Sequence, residues 1–157
     1  MTRSRLALAV VLAAVATTGL TACSSTVAMQ PAEGANDPAC ADVTVRLPGA
    51  VDGQARRWTD AQATGAWGDP AAVLLTCGLE PPGPSTMRCI TVGGVDWLVD
   101  DSDAPRFTLT SYGRTPAVQV YLDNEIVSPN GALDDLSRAV GVLPTTTACT
   151  NPESVPE

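Results

Sequence analysis

Two runs of strand-forming residues flank a glycine pair in the middle of the chain, Gly93-Gly94. Residues 88–92 and 95–99 are rich in β-branched and aromatic types, which favour strands. Two glycines can adopt the positive φ angles of a tight turn, and such a turn fixes the register of the strands it joins. The sequence therefore predicts a β-hairpin. Its facing pairs are Val92 with Val95, Ile90 with Trp97, Thr91 with Asp96, and Cys89 with Leu98.

Further alternating runs predict more strands on either side of this hairpin. Residues 107–110 and 117–122 alternate like half-buried strands around the turn-like segment 112–116, which predicts a second hairpin. Residues 73–77 form another apolar strand-like run, and the Pro/Gly-rich segment 80–85 after them is typical of a turn or loop. The core of the domain is therefore expected to be a sheet.

A helical period appears near the end of the chain. The apolar residues at spacings of three and four are Leu133, Leu136, Val140 and Leu143. Ser128 or Asn130 can cap such a helix, and Asp134-Asp135 would lie in its first turn, where the helix dipole favours acids. Residues 40–47 fit both a strand and a helix, and we favour a short helix. Together the elements predict an α+β fold: a small, mostly antiparallel sheet of about four to five strands, with the C-terminal helix packed on it.

The N-terminus has the layout of an exported lipoprotein. Arg3 and Arg5 precede an apolar run from Leu6 to Leu20, which is typical of a signal peptide. This run is shorter than the roughly 20 apolar residues of a spanning helix. Residues 20–23, Leu-Thr-Ala-Cys, resemble a lipobox, which predicts cleavage before Cys23 and lipid on its thiol. The alternative is an ordinary signal peptide, or a short anchor, with an incidental cysteine.

Composition divides the chain into four parts. Residues 1–22 are the predicted signal peptide, and residues 23–37 are small and polar, as in a flexible tether. Residues 38–150 are predicted to form a single α+β domain, and residues 151–157 a disordered acidic tail. The expected address is the outer face of the cell membrane, with lipid as the anchor.

The net charge and the missing residue types limit which partners and which catalytic mechanisms are expected. Because the signal peptide holds two of the nine basic residues, the mature chain has seven basic against 17 acidic residues, a net charge of −10. Such a surface repels nucleic acid and anionic lipid, so nucleic acid is not an expected partner. The chain has no histidine and no lysine, which excludes Ser/His/Asp triads, Schiff-base lysines and P-loops. No cofactor is expected, and paired carboxylates remain as the one open catalytic route.

Four cysteines are left once Cys23 carries lipid: Cys40, Cys77, Cys89 and Cys149. An even number in an exported domain predicts two disulfides, with three connectivities allowed. We favour Cys77 with Cys89, because the turn at 80–85 would fold them together, and Cys40 with Cys149. A metal site is not expected, since the Cys-x-x-Cys spacing and histidine are both absent.

Several polar and aromatic residues are candidates for a ligand pocket or for a purely structural cluster. They are Trp67, Asp69, Trp97, Tyr112 and Arg114. Arg114 could clamp a carboxylate or phosphate, but we favour a structural role in which Trp67 fills the core and Arg114 pairs with Asp69.

Two charged segments are interpreted as surface features. The acids Asp96, Asp100, Asp101 and Asp103 lack EF-hand spacing, so a solvated loop is favoured over a calcium site. Arg56-Arg57 is the one basic doublet of the mature chain, and we interpret it as a pair of surface salt-bridge donors rather than an anion site.

Several blocks occur together in a characteristic order. They are Cys40, Leu47-Pro48, Asp52-Gly53-Gln54, Arg56-Arg57, residues 66–70 (AWGDP), residues 75–78 (LTCG), residues 92–97 (VGGVDW) and residues 112–118 (YGRTPAV). This order resembles the actinobacterial secreted lipoproteins that share domain of unknown function 3515. The resemblance spans nearly the whole mature domain and implies no established activity.

The favoured function is that of a non-catalytic accessory or binding module of the cell envelope. It would contact the membrane through its lipid anchor and an envelope protein or cell-wall component as its partner. The alternative is a cell-wall-directed hydrolase that uses paired Asp or Glu carboxylates.

Overall fold

The computed structural model describes residues 26–150 and contains a sheet with two helices. The predicted signal peptide, the predicted lipidation site at Cys23 and the tail at 151–157 lie outside these residues. The helices are α1 (Pro38–Thr44) and α2 (Pro129–Val140), and the strands are β1 (Ala50–Val51), β2 (Gln54–Arg57), β3 (Thr64–Trp67), β4 (Val73–Leu79), β5 (Cys89–Val92), β6 (Val95–Asp103), β7 (Arg106–Tyr112) and β8 (Ala117–Asp123). Within the described range no helix is long and apolar enough to span a bilayer.

The strands form a mostly antiparallel sheet in the order β1-β2-β3-β4-β8-β7-β6-β5. Both predicted hairpins are confirmed, as β5–β6 and β7–β8. The four predicted residue pairs of the first hairpin are confirmed as well, because a two-residue glycine turn leaves one register. The predicted α+β class is correct, but the sheet has eight strands rather than four to five.

Strands β1, β2 and β3 account for the larger sheet. Their sequences are Ala-Val, Gln-Ala-Arg-Arg and Thr-Gly-Ala-Trp. None has the alternation of β-branched residues that predicts a strand. They are strands because β3 pairs with the strongly apolar β4, and β2 then pairs with β3. Tertiary pairing rather than local preference therefore sets this side of the sheet.

Helix α2 packs across the sheet and contacts strands at both of its edges, β1 and β5. Its buried face consists of Ala132, Leu133, Leu136, Ala139 and Val140. At Gly93, whose φ is +56°, an added Cβ would overlap the side chain of Ser137, so the β5–β6 turn lies directly on the helix. The sheet therefore wraps around α2, and the core lies between them.

The N-terminus of α2 differs from the prediction in one respect. Of the two predicted caps, Ser128 is the N-cap, but no acid lies in the first helical turn. Asp134-Asp135 fall later because the helix begins at Pro129. The nearby carboxylate comes instead from the β1–β2 turn: Asp52 Oδ2 accepts a hydrogen bond of 2.6 Å from the backbone N–H of Ser128.

Residues 26–37, assigned to the tether from their composition, contact the folded domain. The backbone N–H of Val27 donates to the Trp58 carbonyl at 2.8 Å, and the N–H of Gly34 donates to the Gly78 carbonyl at 3.0 Å. The short helix favoured near the N-terminus is present as α1, and Asp37 caps it by accepting from Ala39 N–H at 2.8 Å. Backbone pairing orders a segment that has few apolar side chains.

The two disulfides differ in pairing from the expected ones. Cys40 is bonded to Cys77 and Cys89 to Cys149, with Cα–Cα distances of 5.7 and 6.2 Å. Three strands lie between β4 and β5 in the sheet, so these strands are separated by about 19 Å at about 4.8 Å a step. A disulfide requires Cα atoms within about 7 Å. The turn at 80–85 therefore does not bring Cys77 to Cys89.

Tryptic mapping without reduction should recover this pairing. Because the chain has arginine but no lysine, cleavage puts the four cysteines on four separate peptides, ending at Arg46, Arg88, Arg106 and the C-terminus. We expect mass spectrometry to find the Cys40 peptide linked to the Cys77 peptide, and the Cys89 peptide linked to the Cys149 peptide. Reduction should separate both pairs. A species joining residues 58–88 to residues 89–106 would contradict the fold.

Candidate functional site

The two tryptophans singled out from the sequence are parts of the core. Trp67 on β3 and Trp97 on β6 are both fully buried. The indole Nε1 of Trp67 donates to the Pro48 carbonyl at 3.1 Å, whereas the Nε1 of Trp97 has no hydrogen-bond partner within residues 26–150. Neither ring is available to a ligand at the surface.

Asp69 lies on the surface and pairs with Arg57 rather than with Arg114. The Asp69 Oδ1–Arg57 Nη1 distance is 2.8 Å, and the same nitrogen donates to the Gly68 carbonyl at 3.0 Å. The neighbouring Arg56 donates to the Leu47 carbonyl at 3.1 Å. Partial burial lowers the pKa of Arg56. The arginine doublet thus contacts the loops next to it, with one of its members in a salt bridge.

Arg114 is 8% exposed and makes three hydrogen bonds to backbone carbonyls. Nη1 donates to Leu143 at 2.7 Å and to Gly141 at 3.2 Å, and Nη2 donates to Gly94 at 3.1 Å. Gly141 is the C-cap of α2, and carbonyls at a helix C-terminus lack helical donors and carry partial negative charge. Arg114 therefore caps the helix and joins it to the β5–β6 turn.

The proposed pocket residues are divided between the two ends of the strands. Trp67 pairs with Val73 at the start of β4, whereas Arg114 lies beside Ala117, which pairs with Leu79 at the end of β4. Six residues of strand separate these ends by about 20 Å. Tyr112 is half-buried and lines a 230 Å³ depression beside the Cys89–Cys149 disulfide. The structure thus does not bring Trp67 and Asp69 together with Arg114.

The four clustered acids each contact a neighbour on or next to the β6–β7 hairpin. Asp96 accepts from the Thr91 hydroxyl at 2.6 Å and from the Cys149 N–H at 2.8 Å. Hydrogen bonds from Ser102 lower the pKa of Asp100. Asp101 and Asp103 form loose salt bridges with Arg88 and Arg106, at 3.7 and 3.8 Å. Over residues 26–150 no group of acids or cysteines has the arrangement of a metal site.

A groove of about 550 Å³ lies between the sheet and the β8–α2 loop. Its floor is apolar and comes from three adjacent strands, with Ile90 on β5, Val99 on β6, and Phe107 and Leu109 on β7. Ile126, from the loop, forms one wall and is 49% exposed. Ligand sites in proteins are commonly concave, mostly apolar and of this size. This groove is therefore the candidate functional site.

Few charged groups line the groove. Arg88 and Glu125 are its charged lining residues, and Arg88 also contacts Asp101. An apolar pocket with one cation and one acid can hold and orient a ligand, but it lacks a second carboxylate for acid–base hydrolysis. One sequence signal for this site was missed: two apolar residues, Ile126 and Val127, lie between the polar residues of the segment 123–128.

Two carboxylates, those of Glu33 and Glu80, line an open depression of about 530 Å³. Both side chains are exposed. A general acid in glycoside hydrolysis depends on a water-excluding environment that keeps it protonated. The open depression does not supply such an environment.

Replacing Arg114 by alanine should destabilise the protein by about 3 kcal/mol, because buried carbonyls at the end of α2 lose their charged donor. Arg138→Ala is the control, since Arg138 is an exposed arginine in the last turn of the same helix. The control should lose less than about 1 kcal/mol. Urea denaturation measures both. Equal losses in the two variants would contradict the capping role.

Comparison with known proteins identifies the family of this chain but does not identify a function. No curated protein and no solved structure matches the chain. The profile of one protein family matches residues 4–148, a range that includes the whole described sheet and both helices. The chain belongs to the family described as protein of unknown function, DUF3515.

Proposed function

We propose that this protein is a lipid-anchored, extracytoplasmic binding module of the cell envelope, with no catalytic chemistry of its own. One observation carries the proposal. The residues whose chemistry was most suggestive, Trp67, Trp97 and Arg114, are buried in the scaffold, while the groove between the sheet and the β8–α2 loop has an apolar floor.

The extracytoplasmic address is supported by the sequence and by the cysteines. The charged, apolar and small-residue segments before Cys23 occur in the order of a lipoprotein signal peptide. The four remaining cysteines form two disulfides. Structural disulfides persist in oxidising compartments and are rare in the cytosol. An exported domain is therefore the best match to the chain.

The groove supports binding of an apolar group. Its floor consists of Ile90, Val99, Phe107 and Leu109, with Ile126 on the wall. The mature chain is strongly acidic, which disfavours anionic ligands at long range. We therefore assign to the groove an uncharged apolar group, such as the aliphatic or aromatic part of an envelope component.

The hydrolase alternative lacks a comparable observation. The two glutamates that line one cavity, Glu33 and Glu80, are in an open depression. The groove contains a single carboxylate, that of Glu125. Paired-carboxylate catalysis requires two groups about 5–10 Å apart on either side of a bound bond. Binding without catalysis is the simpler assignment.

Changing the lipidated thiol tests the address. In an actinobacterial host fed a labelled fatty acid, the parent protein should carry label and partition into the detergent phase of a Triton X-114 extract. Cys23→Ser should lose both properties because it lacks the thiol that takes the lipid. Ser24→Ala is the matched control and should behave as the parent does. An unlabelled, uncleaved parent protein would contradict the anchor.

A charge on the groove wall tests the binding site. Ile126→Arg should weaken binding of the neutral fluorophore N-phenyl-1-naphthylamine by about tenfold or more, because a guanidinium over an apolar floor disfavours an apolar ligand. Val142→Arg is the matched control, since Val142 is similarly exposed, at 43%, and does not line the groove. Fluorescence titration measures both. Unchanged affinity in Ile126→Arg would exclude the groove as the site.

A further inference from the structure

Trp58 is the most exposed large apolar side chain in residues 26–150, at 79%. It follows β2 directly, and with Arg56 and Arg57 it lines a shallow depression of about 370 Å³. An exposed tryptophan is unfavourable in water unless it has a partner surface, and tryptophan prefers the headgroup region of membranes. Neither the core nor the groove contains this side chain.

The chain leading from the predicted anchor meets the domain at Trp58. The backbone N–H of Val27 donates to the Trp58 carbonyl at 2.8 Å, and the Val27 carbonyl accepts from Asp60 N–H at 3.3 Å. The N–H of Met29 adds a bond of 2.8 Å to Asp60 Oδ1. The first described contacts thus fix the path of the chain against the loop that holds Trp58.

The stretch of chain between Cys23 and the first described contact, at Val27, is short. Four residue steps separate Cys23 from Val27, and a fully extended chain covers at most about 14 Å in four steps. The headgroup layer on each side of a bilayer is itself about 5–8 Å thick. A lipid on Cys23 therefore holds the Trp58 loop at the membrane surface rather than far above it.

The charges around Trp58 are compatible with contact between this loop and the membrane surface. Arg56 and Arg57 are the neighbouring cations, and arginine near an interface can approach lipid phosphates. The acids on the same side are Asp60, which accepts from Met29, and Asp69, which pairs with Arg57. The rest of the mature chain is strongly acidic, so its other surfaces are repelled by anionic headgroups.

We propose that the Trp58 face, formed by Trp58 and Arg56, rests on the bilayer to which Cys23 is anchored, with the Trp58 indole in the headgroup region. This inference rests on the proposed lipid anchor.

Tryptophan fluorescence of the acylated mature protein tests the proposal. The protein is reconstituted in phosphatidylcholine vesicles, with and without lipids brominated near the headgroup end of the acyl chains. Trp67 and Trp97 are buried and serve as unquenched internal references. We expect bromine to quench most of the emission that Trp58→Phe removes, and that emission to be shifted to shorter wavelength than in detergent-free Cys23→Ser protein.

Two variants complete the design. Trp58→Phe tests the assignment of the signal and, at an exposed position, leaves the core intact. Val45→Ala is the control for loss of an exposed apolar side chain, at 76% exposure, and should leave quenching unchanged.

The outcomes separate the two proposals. Quenching of Trp58 in floated vesicles supports the membrane face. Protein that floats with vesicles through Cys23 while Trp58 stays unquenched overturns the membrane face and leaves the anchor standing. Wild-type protein that carries no lipid and does not float overturns the anchor, and the membrane face with it.

Discussion

The packing of α2 between the two edges of a wrapped sheet is the constraint on which the rest of the structure depends. The apolar face of the helix packs against the sheet. A carboxylate lies at the N-terminus of the helix and a guanidinium at its C-terminus. Asp52, from the β1–β2 turn, accepts from the N-cap residue Ser128, and Arg114, from the β7–β8 turn, donates to the C-cap Gly141. Because a helix dipole favours an anion at its start and a cation at its end, these contacts select one position of the helix on the sheet.

That constraint explains the structural role of Arg114. Arg114 lies next to Gly113, whose φ is +69° and where a Cβ would overlap the Thr147 carbonyl. The turn thus packs tightly against the C-terminal segment, which the Cys89–Cys149 disulfide and the bond from Cys149 N–H to Asp96 hold in place. A buried guanidinium is stable there only because three carbonyls surround it. Removing the Arg114 side chain is therefore expected to lower the stability of the fold before it affects any binding.

Local features could be predicted from the sequence and non-local ones could not. The β5–β6 register follows from Gly93-Gly94, and cap chemistry limits the start of α2 to Ser128 or Asn130, because both features depend on neighbouring residues. The disulfide pairing depends on the order of strands in the sheet, which the turn at 80–85 does not determine. Strands β1–β3 lack a strand pattern, and the partner of Asp69, Arg57, is set by their pairing. The groove was missed because its floor and wall come from four separate segments.

The groove and the proposed membrane face are on different parts of the sheet. Trp58 follows β2, whereas Phe107 and Leu109 of the groove floor lie on β7. Strands β3, β4 and β8 lie between β2 and β7, so the two sites are about 19 Å apart across the sheet at about 4.8 Å a step. They share no lining residue. A change at Ile126 and a change at Trp58 therefore act on separate surfaces, and the binding proposal and the membrane proposal can fail independently of each other.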